Sequence, residues 1–353
     1  MTLSFTYQGS AARIVFANGA SANVGLWVEK LGCSRALVLT TPHQAADGRA
    51  LSDRLGALSV GILAEASMHT PVEVTERAVA RAAELAADCV VSLGGGSTTG
   101  LGKAMAYRTN IPQIVVPTTY AGSEVTNILG QTEGGRKTTV RHESIIPEIV
   151  IYDPALTLGL PVGMSVTSGL NAMAHAIEGL YAEDRNPVSS LMALEGLRAF
   201  ADSLPDIVRE PRNPEARSKA LYGAWLCGTV LGAVGMALHH KICHTLGGSY
   251  DLPHAETHAV MLPHTAGFNA SAAGEALSGA AEIFGGTIGG GLWDFAKSLG
   301  APLTLHELGL EESDLDRAAE IAGQNPYYNP RPIDRASIRA LLQAAWEGRR
   351  PDQ

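Results

Sequence analysis

Five histidines fall within twenty residues of this chain, in His239-His240-Lys241-Ile242-Cys243-His244 and Pro253-His254-Ala255-Glu256-Thr257-His258. Upstream, Asn171 and His175 stand four residues apart in an apolar stretch that continues to Glu178. Three imidazoles and a carboxylate would make a divalent-metal site. Three imidazoles and an amide make a poorer one, because an amide oxygen carries no net charge. The other chemistry open to such a set is hydrogen-bond donation, with proton transfer or anion pairing by any imidazole that titrates near neutrality. On helices, Asn171 with His175, His240 with His244, and His254 with His258 would each share a face. A lone histidine is more often structural. This many polar groups at helical spacing point instead to one functional cleft. His244 and Lys241 are the candidates for proton donation or carboxylate pairing, although Lys241 also reads as a solvated lysine on a helix face. His258 reads as structural. Lys137 divides evenly between a cleft residue and a surface turn.

A second cluster lies earlier. Ser92-Leu93-Gly94-Gly95-Gly96-Ser97-Thr98-Thr99 directly follows a buried apolar run and leads into a helical pattern at Leu101–Tyr107. Glycines there let backbone amides approach a phosphate, and a helix N-terminus adds partial positive charge. The segment is not the GxGxxG fingerprint, and taken alone it could be a tight turn. A further strand ends in Pro117-Thr118-Thr119-Tyr120-Ala121-Gly122-Ser123-Glu124, which places more hydroxyls where open α/β sheets bind ligands. Gly94, Gly95, Gly96, Ser97, Thr98, Thr118, Thr119, Ser123 and Thr40 are the expected dinucleotide contacts. The strand Ala36–Thr40 runs into Thr41-Pro42-His43 with no carboxylate to repel a 2′-phosphate, so NADH and NADPH are both admitted.

The elements that must carry these residues change character along the chain. Buried strands at Ala36–Thr40, Cys89–Leu93, Ile114–Pro117 and Ile149–Tyr152, with a weaker one at Val60–Leu63, alternate with helical patterns such as Val72–Ala87. That alternation predicts an α/β domain with a parallel sheet covered on both faces. Phe5–Tyr7 and Arg13–Phe16 read as an edge hairpin that could extend a partner's sheet. Beyond Pro161 the chain is rich in Ala, Leu, Glu and Met and punctuated by prolines, which predicts helices. We expect a dinucleotide-binding domain over 1–157 and an all-helical catalytic domain over 158–353. Gly285-Gly286 and Gly289-Gly290-Gly291 read as a flexible turn, and 325–332 as a loop before the last helix.

The 353 residues are 46% hydrophobic and 17% charged, enough for a sizeable core and against disorder. A net charge of −9 argues against a nucleic-acid partner. Cys33, Cys89, Cys227 and Cys243 form no CxxC pair and are expected as buried free thiols. The first residues lack a basic segment followed by an apolar core, and no apolar run approaches a membrane span. A cytoplasmic protein without membrane contact is expected.

In the order and spacing of Gly94-Gly95-Gly96-Ser97, Pro117-Thr118-Thr119 with Gly122-Ser123-Glu124, Asp153-Pro154, the His175 segment, His240-xxx-His244-xx-Gly247, Pro253-His254 and Asn325-Pro326, the chain resembles the iron-containing (group III) alcohol dehydrogenase superfamily, over almost its whole length. The resemblance implies the dehydroquinate-synthase-like architecture of that family, a nicotinamide cofactor and a homodimer. Family members bind a divalent metal through an Asp, a His four residues later, and two more His; these positions map to Asn171, His175, His240 and His254, with His244 near the reacting centre. Two departures stand out. Asn171 replaces the aspartate, and Gly100 stands where many members carry another aspartate. With Tyr120-Ala121-Gly122-Ser123-Glu124 and Lys241-xx-His244-xx-Gly247-Gly248 they are similar to the maleylacetate reductase branch, which reduces an enone bearing a carboxylate at each end. The implied site is metal-free, with Asn171, His175, His240, His254, His244 and Lys241 turned to binding a dicarboxylate and stabilising an enolate. Three rivals stand beside this reading: a metal-dependent alcohol or aldehyde dehydrogenase, a sugar-phosphate cyclase, and an inactive nucleotide-binding regulatory protein.

Overall fold

The computed structural model describes residues 4–353 apart from Gly135. The chain divides into two compact units, Gly9–Leu160 and Pro161–Gln353, the latter joined by the described residues up to Gln8.

In the first unit the order is β1 (Arg13–Phe16), α1 (Val24–Lys30), β2 (Ala36–Leu39), α2 (Ala45–Leu55), β3 (Ser59–Leu63), α3 (Val72–Glu84), β4 (Cys89–Gly94), α4 (Gly96–Thr109), β5 (Gln113–Pro117), β6 (Ile128–Glu133), β7 (Arg136–Arg141) and β8 (Ile149–Tyr152). Six strands form one parallel sheet in the order β1-β8-β5-β4-β2-β3. β2, β4, β5 and β8 are buried along their whole length, as strands covered on both faces must be. Alternate side chains serve the two faces. Val38, Val91 and Ile114 pack with Val24, Val28 and Leu51, whereas Leu37, Leu39 and Val90 pack with Ala78, Leu101 and Met105. Strand order reverses between β2 and β4, so their carboxyl ends flank the switch point at which such sheets bind ligands.

Three details differ from expectation. Arg13–Phe16 is not half of a hairpin; it pairs in parallel with β8, Arg13 opposite Ile149, and residues 5–7 form no strand. The hairpin is instead β6–β7, antiparallel from Ile128↔Arg141 to Glu133↔Arg136. Its strands mix polar and apolar residues without a run long enough to mark them. Gly289, Gly290 and Gly291 do not form a flexible turn but sit in the first turn of a helix. A Cβ at Gly289 would lie 2.3 Å from the Gln353 carbonyl and 2.9 Å from Gly267 Cα, so glycine there permits close packing.

The second unit contains helices α5 (Val162–Tyr181), α6 (Pro187–Arg209), α7 (Pro214–Ala233), α8 (Leu238–Tyr250), α9 (His254–Phe284), α10 (Ile288–Ser298), α11 (Leu315–Ala322) and α12 (Arg335–Trp346). From Ser165 to Tyr181, α5 is buried on every side, so its polar residues lie inside the bundle. A Cβ on Gly179 would come 2.2 Å from Val230 Cγ1, showing how closely α7 approaches α5. Among the described residues no single helix is long and apolar enough to cross a membrane; the bent pair α7 and α8 passes by length and composition only. All four cysteines are free and buried.

Candidate active site

The glycine loop joins β4 to α4 at the switch point. At Gly94 φ is +153°, and a Cβ would lie 2.4 Å from Thr98 Oγ1 and 2.9 Å from Gln44 Oε1. At Gly95 it would lie 2.8 Å from Thr119 Cγ2. These two glycines let the β2, β4 and β5 loops close on one another. Gly96 differs: it is exposed, and its Cβ would meet nothing nearer than Ala121 Cβ at 4.0 Å. The open space therefore lies over the first turn of α4, whose N-cap Gly95 supplies no side-chain cap. Amides at such a terminus are an anion site by geometry and dipole. Thr98 Oγ1 is buried without a hydrogen-bond partner among the described residues. A dinucleotide pyrophosphate fits this cradle.

Thr40 is fully buried; its hydroxyl donates to the Thr41 carbonyl at 3.0 Å, and its methyl lies where a Cβ on Gly48 would collide. It shapes the turn rather than reaching toward the loop. Gln44, from the same turn, reaches instead: its Nε2 donates to Thr118 Oγ1 at 3.1 Å, while the Thr118 amide donates to Gly94 O at 3.0 Å. Sequence reasoning missed Gln44, since a single glutamine opening a helix forms no pattern. Lys103 was missed too. Fully buried on α4, its ammonium donates to the Ser123 carbonyl, to Thr126 Oγ1 at 2.9 Å and to Ile128 O at 3.1 Å. Burial pulls its pKa down to about 7, and nearby Glu124 opposes that. Glu124 accepts from the Tyr152 hydroxyl at 2.8 Å. Ser123 is thus held by its carbonyl. At Gly100 a Cβ would lie 2.4 Å from Thr70 Oγ1, which explains the absence of an aspartate there. The side chain of Lys137 lies outside the described residues.

In the helical unit, Asn171, His175 and Glu178 lie on one face of α5 and are 4%, 3% and 0% exposed. Asp251, with φ +54°, ends α8 in the left-handed region, and the turn to Pro253 brings the start of α9 back toward it. The ring centroids of His175 and His240 are 5.2 Å apart, those of His240 and His258 5.0 Å, and those of His254 and His258 4.4 Å. His258, expected to be merely structural, sits at the centre of the cluster. Glu178 Oε2 pairs with His240 Nδ1, and Oε1 accepts from the His239 amide at 2.7 Å. Glu178 was quoted only as the end of the His175 segment; one carboxylate on an apolar helix carried no further signal. Asn171 Oδ1 and His175 Nδ1 are buried without hydrogen-bond partners among the described residues.

Burial is graded across the cluster. His175, His239 and His258 are buried, and desolvation, followed by neighbouring imidazoles, drives their pKa values well below the ordinary histidine value. The expectation that an imidazole freed of metal titrates near neutrality fails for His175. His254 is exposed, and Lys241 and His244 are half-buried at the rim. Burial also lowers the Lys241 pKa. Tyr327, in the loop that begins at Asn325, lies under both: the Lys241 ammonium is 5.8 Å from its ring and its hydroxyl is 3.5 Å from His244 Nδ1. That loop is tied to α9 by Asn329 and Asn269 and by Arg331 on Phe268. A separate cavity of about 330 Å³ lies against His264, Arg331, Arg349 and Arg350. Arg350 there is paired with Asp294 and Arg349 with Glu347.

The metal that the family resemblance implies is a poor fit to these residues. Asn171 contributes no charge. Among the described residues, the sets that bring three ligand atoms within 4.8 Å of one another are His239, Cys243, His258 and Cys33, Asp88, Cys89. Neither contains His175, His240 or His254, and His254 stands at the exposed rim.

Family models place the chain without ambiguity. Residues 11–154 match the iron-containing alcohol dehydrogenase model, and residues 165–346 match the C-terminal model of the Fe-containing alcohol dehydrogenase family. A maleylacetate reductase of Rhizobium sp. (strain MTP-10005) is 63% identical over 348 residues, covering 99% of both chains. The crystal structure of maleylacetate reductase from Agrobacterium tumefaciens superposes with a TM-score of 0.97 at 62% identity, covering 99% of this chain and 100% of that one. An iron-containing alcohol dehydrogenase from Corynebacterium glutamicum superposes at 0.95 with 41% identity, covering 100% and 99%. The chain belongs to the iron-containing alcohol dehydrogenase family, in its maleylacetate reductase branch.

Proposed function

We propose that this chain reduces the carbon–carbon double bond of maleylacetate to 3-oxoadipate, using NADH or NADPH and no metal. The observation that carries the reading is the uncharged Asn171 amide, its Oδ1 buried without a hydrogen-bond partner among the described residues, at the head of a buried imidazole cluster, in a chain 63% identical to a protein named for this reaction. The bound nicotinamide supplies a hydride. The Gly95–Ser97 amides at the α4 terminus hold its pyrophosphate, with the Gln44–Thr118 contact keeping the loop closed. The Thr40–His43 turn that follows β2 carries no acidic side chain, so a 2′-phosphate is tolerated.

Hydride adds to the double-bond carbon β to the ketone, and the carbon–carbon π pair moves to give an enolate. A proton added to the carbon next to the ketone then completes the saturated product. The protein must therefore donate hydrogen bonds to the ketone oxygen as its charge grows and must hold two carboxylates. Neutral, buried Asn171 and His175 offer N–H donors at the floor. His240, backed by Glu178, presents a fixed ring orientation. Lys241, His244 and His254, at the rim, are placed to meet carboxylates and to deliver the proton.

The test is NADH or NADPH oxidation with maleylacetate, alongside metal analysis of the purified protein. Turnover that persists after chelation supports the proposal; stoichiometric metal with activity abolished by chelation overturns the metal-free part. Full turnover in His244→Ala would remove His244 as the acid. One observation favours a second reading, a metal-dependent alcohol dehydrogenase: a carboxylate on His240 Nδ1 is the contact that orients metal-bound imidazoles. Metal content and alcohol oxidation decide between them.

A further inference from the structure

The cavity of about 330 Å³ in the helical unit has no part in the mechanism above. Three segments wall it. α9 contributes His264 and Phe268, α12 contributes Ala340, Leu341 and Ala344, and the chain after α12 contributes Arg349 and its neighbours. Ala340 and Ala344 stand four residues apart and so share one face of α12. The segment after α12 is fixed in place. The Gly289 amide donates to the Gln353 carbonyl at 2.8 Å. A Cβ at Gly267 would lie 3.3 Å from Pro351 Cβ, and one at Gly290 would lie 2.7 Å from Arg350 Nη2. Glycines on α9 and α10 thus let this wall pack closely.

Three arginines line the cavity, and two of them already hold carboxylates. Arg350 meets Asp294 through two nitrogens, at 3.0 and 2.8 Å, and Arg349 pairs with Glu347. Among the described residues in the lining, the acidic side chain is Asp352, and its charge acts on Arg350. Arg331 differs. It is half-buried, its Nη1 donates to the Phe268 carbonyl at 3.0 Å, and its guanidinium carbon stands 4.0 Å from the centre of the Phe268 ring. Among the described residues no carboxylate pairs with it. His264 is 5% exposed, and its Nε2 is buried without a hydrogen-bond partner among the described residues. Buried polar atoms normally have a partner, so the imidazole is a second group at this wall that the chain itself leaves unsatisfied.

We propose that this cavity binds a small aromatic carboxylate, its carboxylate on Arg331 and its ring against Phe268, Leu341 and Ala344. A guanidinium presents a planar fork that matches a carboxylate, and Arg349 adds positive charge beside it. The volume is at the small end of ligand pockets, which run from about 300 to 1,000 Å³, so it suits one ring with short substituents and excludes a nucleotide. An inorganic anion would leave the apolar wall uncovered, and an uncharged ring would leave Arg331 without a counter-ion. The site is separate from the imidazole cluster, and the inference does not depend on the proposed function.

Isothermal titration calorimetry of the full chain with benzoate tests this, with benzamide and inorganic phosphate as controls. Benzoate should bind once per chain, and each control about tenfold more weakly or worse, the scale of one lost charge-assisted hydrogen bond. Arg331→Met should weaken benzoate by about tenfold or more. Arg331 also ties down the loop that begins at Asn325, so a second variant leaves it in place. Ala340→Phe, at an exposed position on the α12 wall, fills the cavity and should abolish benzoate binding while urea unfolding stays as in the wild type. No benzoate binding to the wild type overturns the proposal. Binding that survives Ala340→Phe belongs to another site, the imidazole cluster included, and overturns it as well. Phosphate or benzamide binding as tight as benzoate would refute the ligand class. None of these readings needs maleylacetate turnover, so failure of the proposed function and failure of this site are told apart.

Discussion

Gly96→Ala separates the stability of the glycine loop from its proposed use. A Cβ at this position meets only Ala121 Cβ, at 4.0 Å. Gly96 is not among the residues with positive φ, and it opens α4. Alanine is therefore compatible with the backbone and restricts the unfolded chain, so stability should hold or rise by up to about 1 kcal/mol. The same methyl enters the open space over the α4 amides. A phosphate there accepts charge-assisted hydrogen bonds worth about 1.5–3 kcal/mol each. Displacing one of them weakens NADH binding by roughly 10- to 150-fold, since about 1.4 kcal/mol is a factor of ten. Gly95→Ala is the contrast: its methyl would lie 2.8 Å from Thr119 Cγ2 and 3.0 Å from Thr119 Oγ1, an overpacking that costs about 1–3 kcal/mol. Urea unfolding and NADH fluorescence titration read the two quantities separately. An unchanged Kd for NADH in Gly96→Ala would refute the placement of the pyrophosphate, and equal destabilisation by both variants would refute the packing argument.

Lys103→Met strands the Ser123 and Ile128 carbonyls and leaves Glu124 without its buried cation, so a loss of about 3 kcal/mol is expected by chemical denaturation; a loss under about 1 kcal/mol would show that the ammonium is dispensable. Glu178→Ala removes the acceptor of both the His239 amide and His240 Nδ1 and should cost about 3 kcal/mol in the same measurement, with Glu178→Gln recovering part of it. His264 has its pKa lowered to about 4 by burial and by Arg349. The unfolded chain takes up this proton first as pH falls through about 6.5, so the folded state loses stability from there down to the folded pKa. At pH 5 the deficit is about 2 kcal/mol. His264→Gln should flatten the fall in stability between pH 7 and pH 5, and parallel pH profiles for the two proteins would argue against a neutral buried His264.

What the sequence revealed and what it concealed divide along a physical line. β2, β4, β5 and β8 were legible because strands buried on both faces need continuous runs of β-branched and leucine side chains, as in Cys89–Gly94. Helical spacing placed His240 with His244 on α8 and His254 with His258 on α9. Arg13–Phe16 was misread because strand propensity says nothing of pairing; its partner Ile149–Tyr152 lies far along the chain. Lys103 and Gln44 escaped notice because their partners, Ser123, Thr126 and Ile128 for the one and Thr118 for the other, lie far along the chain, and a single polar residue has no period to betray it.

Asn171 also means something different once Glu178 is in view. Replacing a metal-ligating aspartate removes one negative charge, yet the pocket retains a carboxylate two turns further along the same buried face of α5, locked by the His239 amide and His240. A carboxylate at position 171 would face the substrate directly and repel a dicarboxylate, whereas the carboxylate at 178 spends its lone pairs on donors within the protein. Asn171→Asp therefore tests whether the pocket's charge is placed for an anion or for a metal. If the pocket serves an anion, the variant should raise KM for maleylacetate by about tenfold or more, about 1.4 kcal/mol for a like charge at partly screened range, and should gain no activity from added Fe2+ or Zn2+. A variant that binds either ion stoichiometrically and oxidises alcohols would show that a single carboxylate is enough to rebuild the metal site, and the misfit inferred from the ring positions would be wrong.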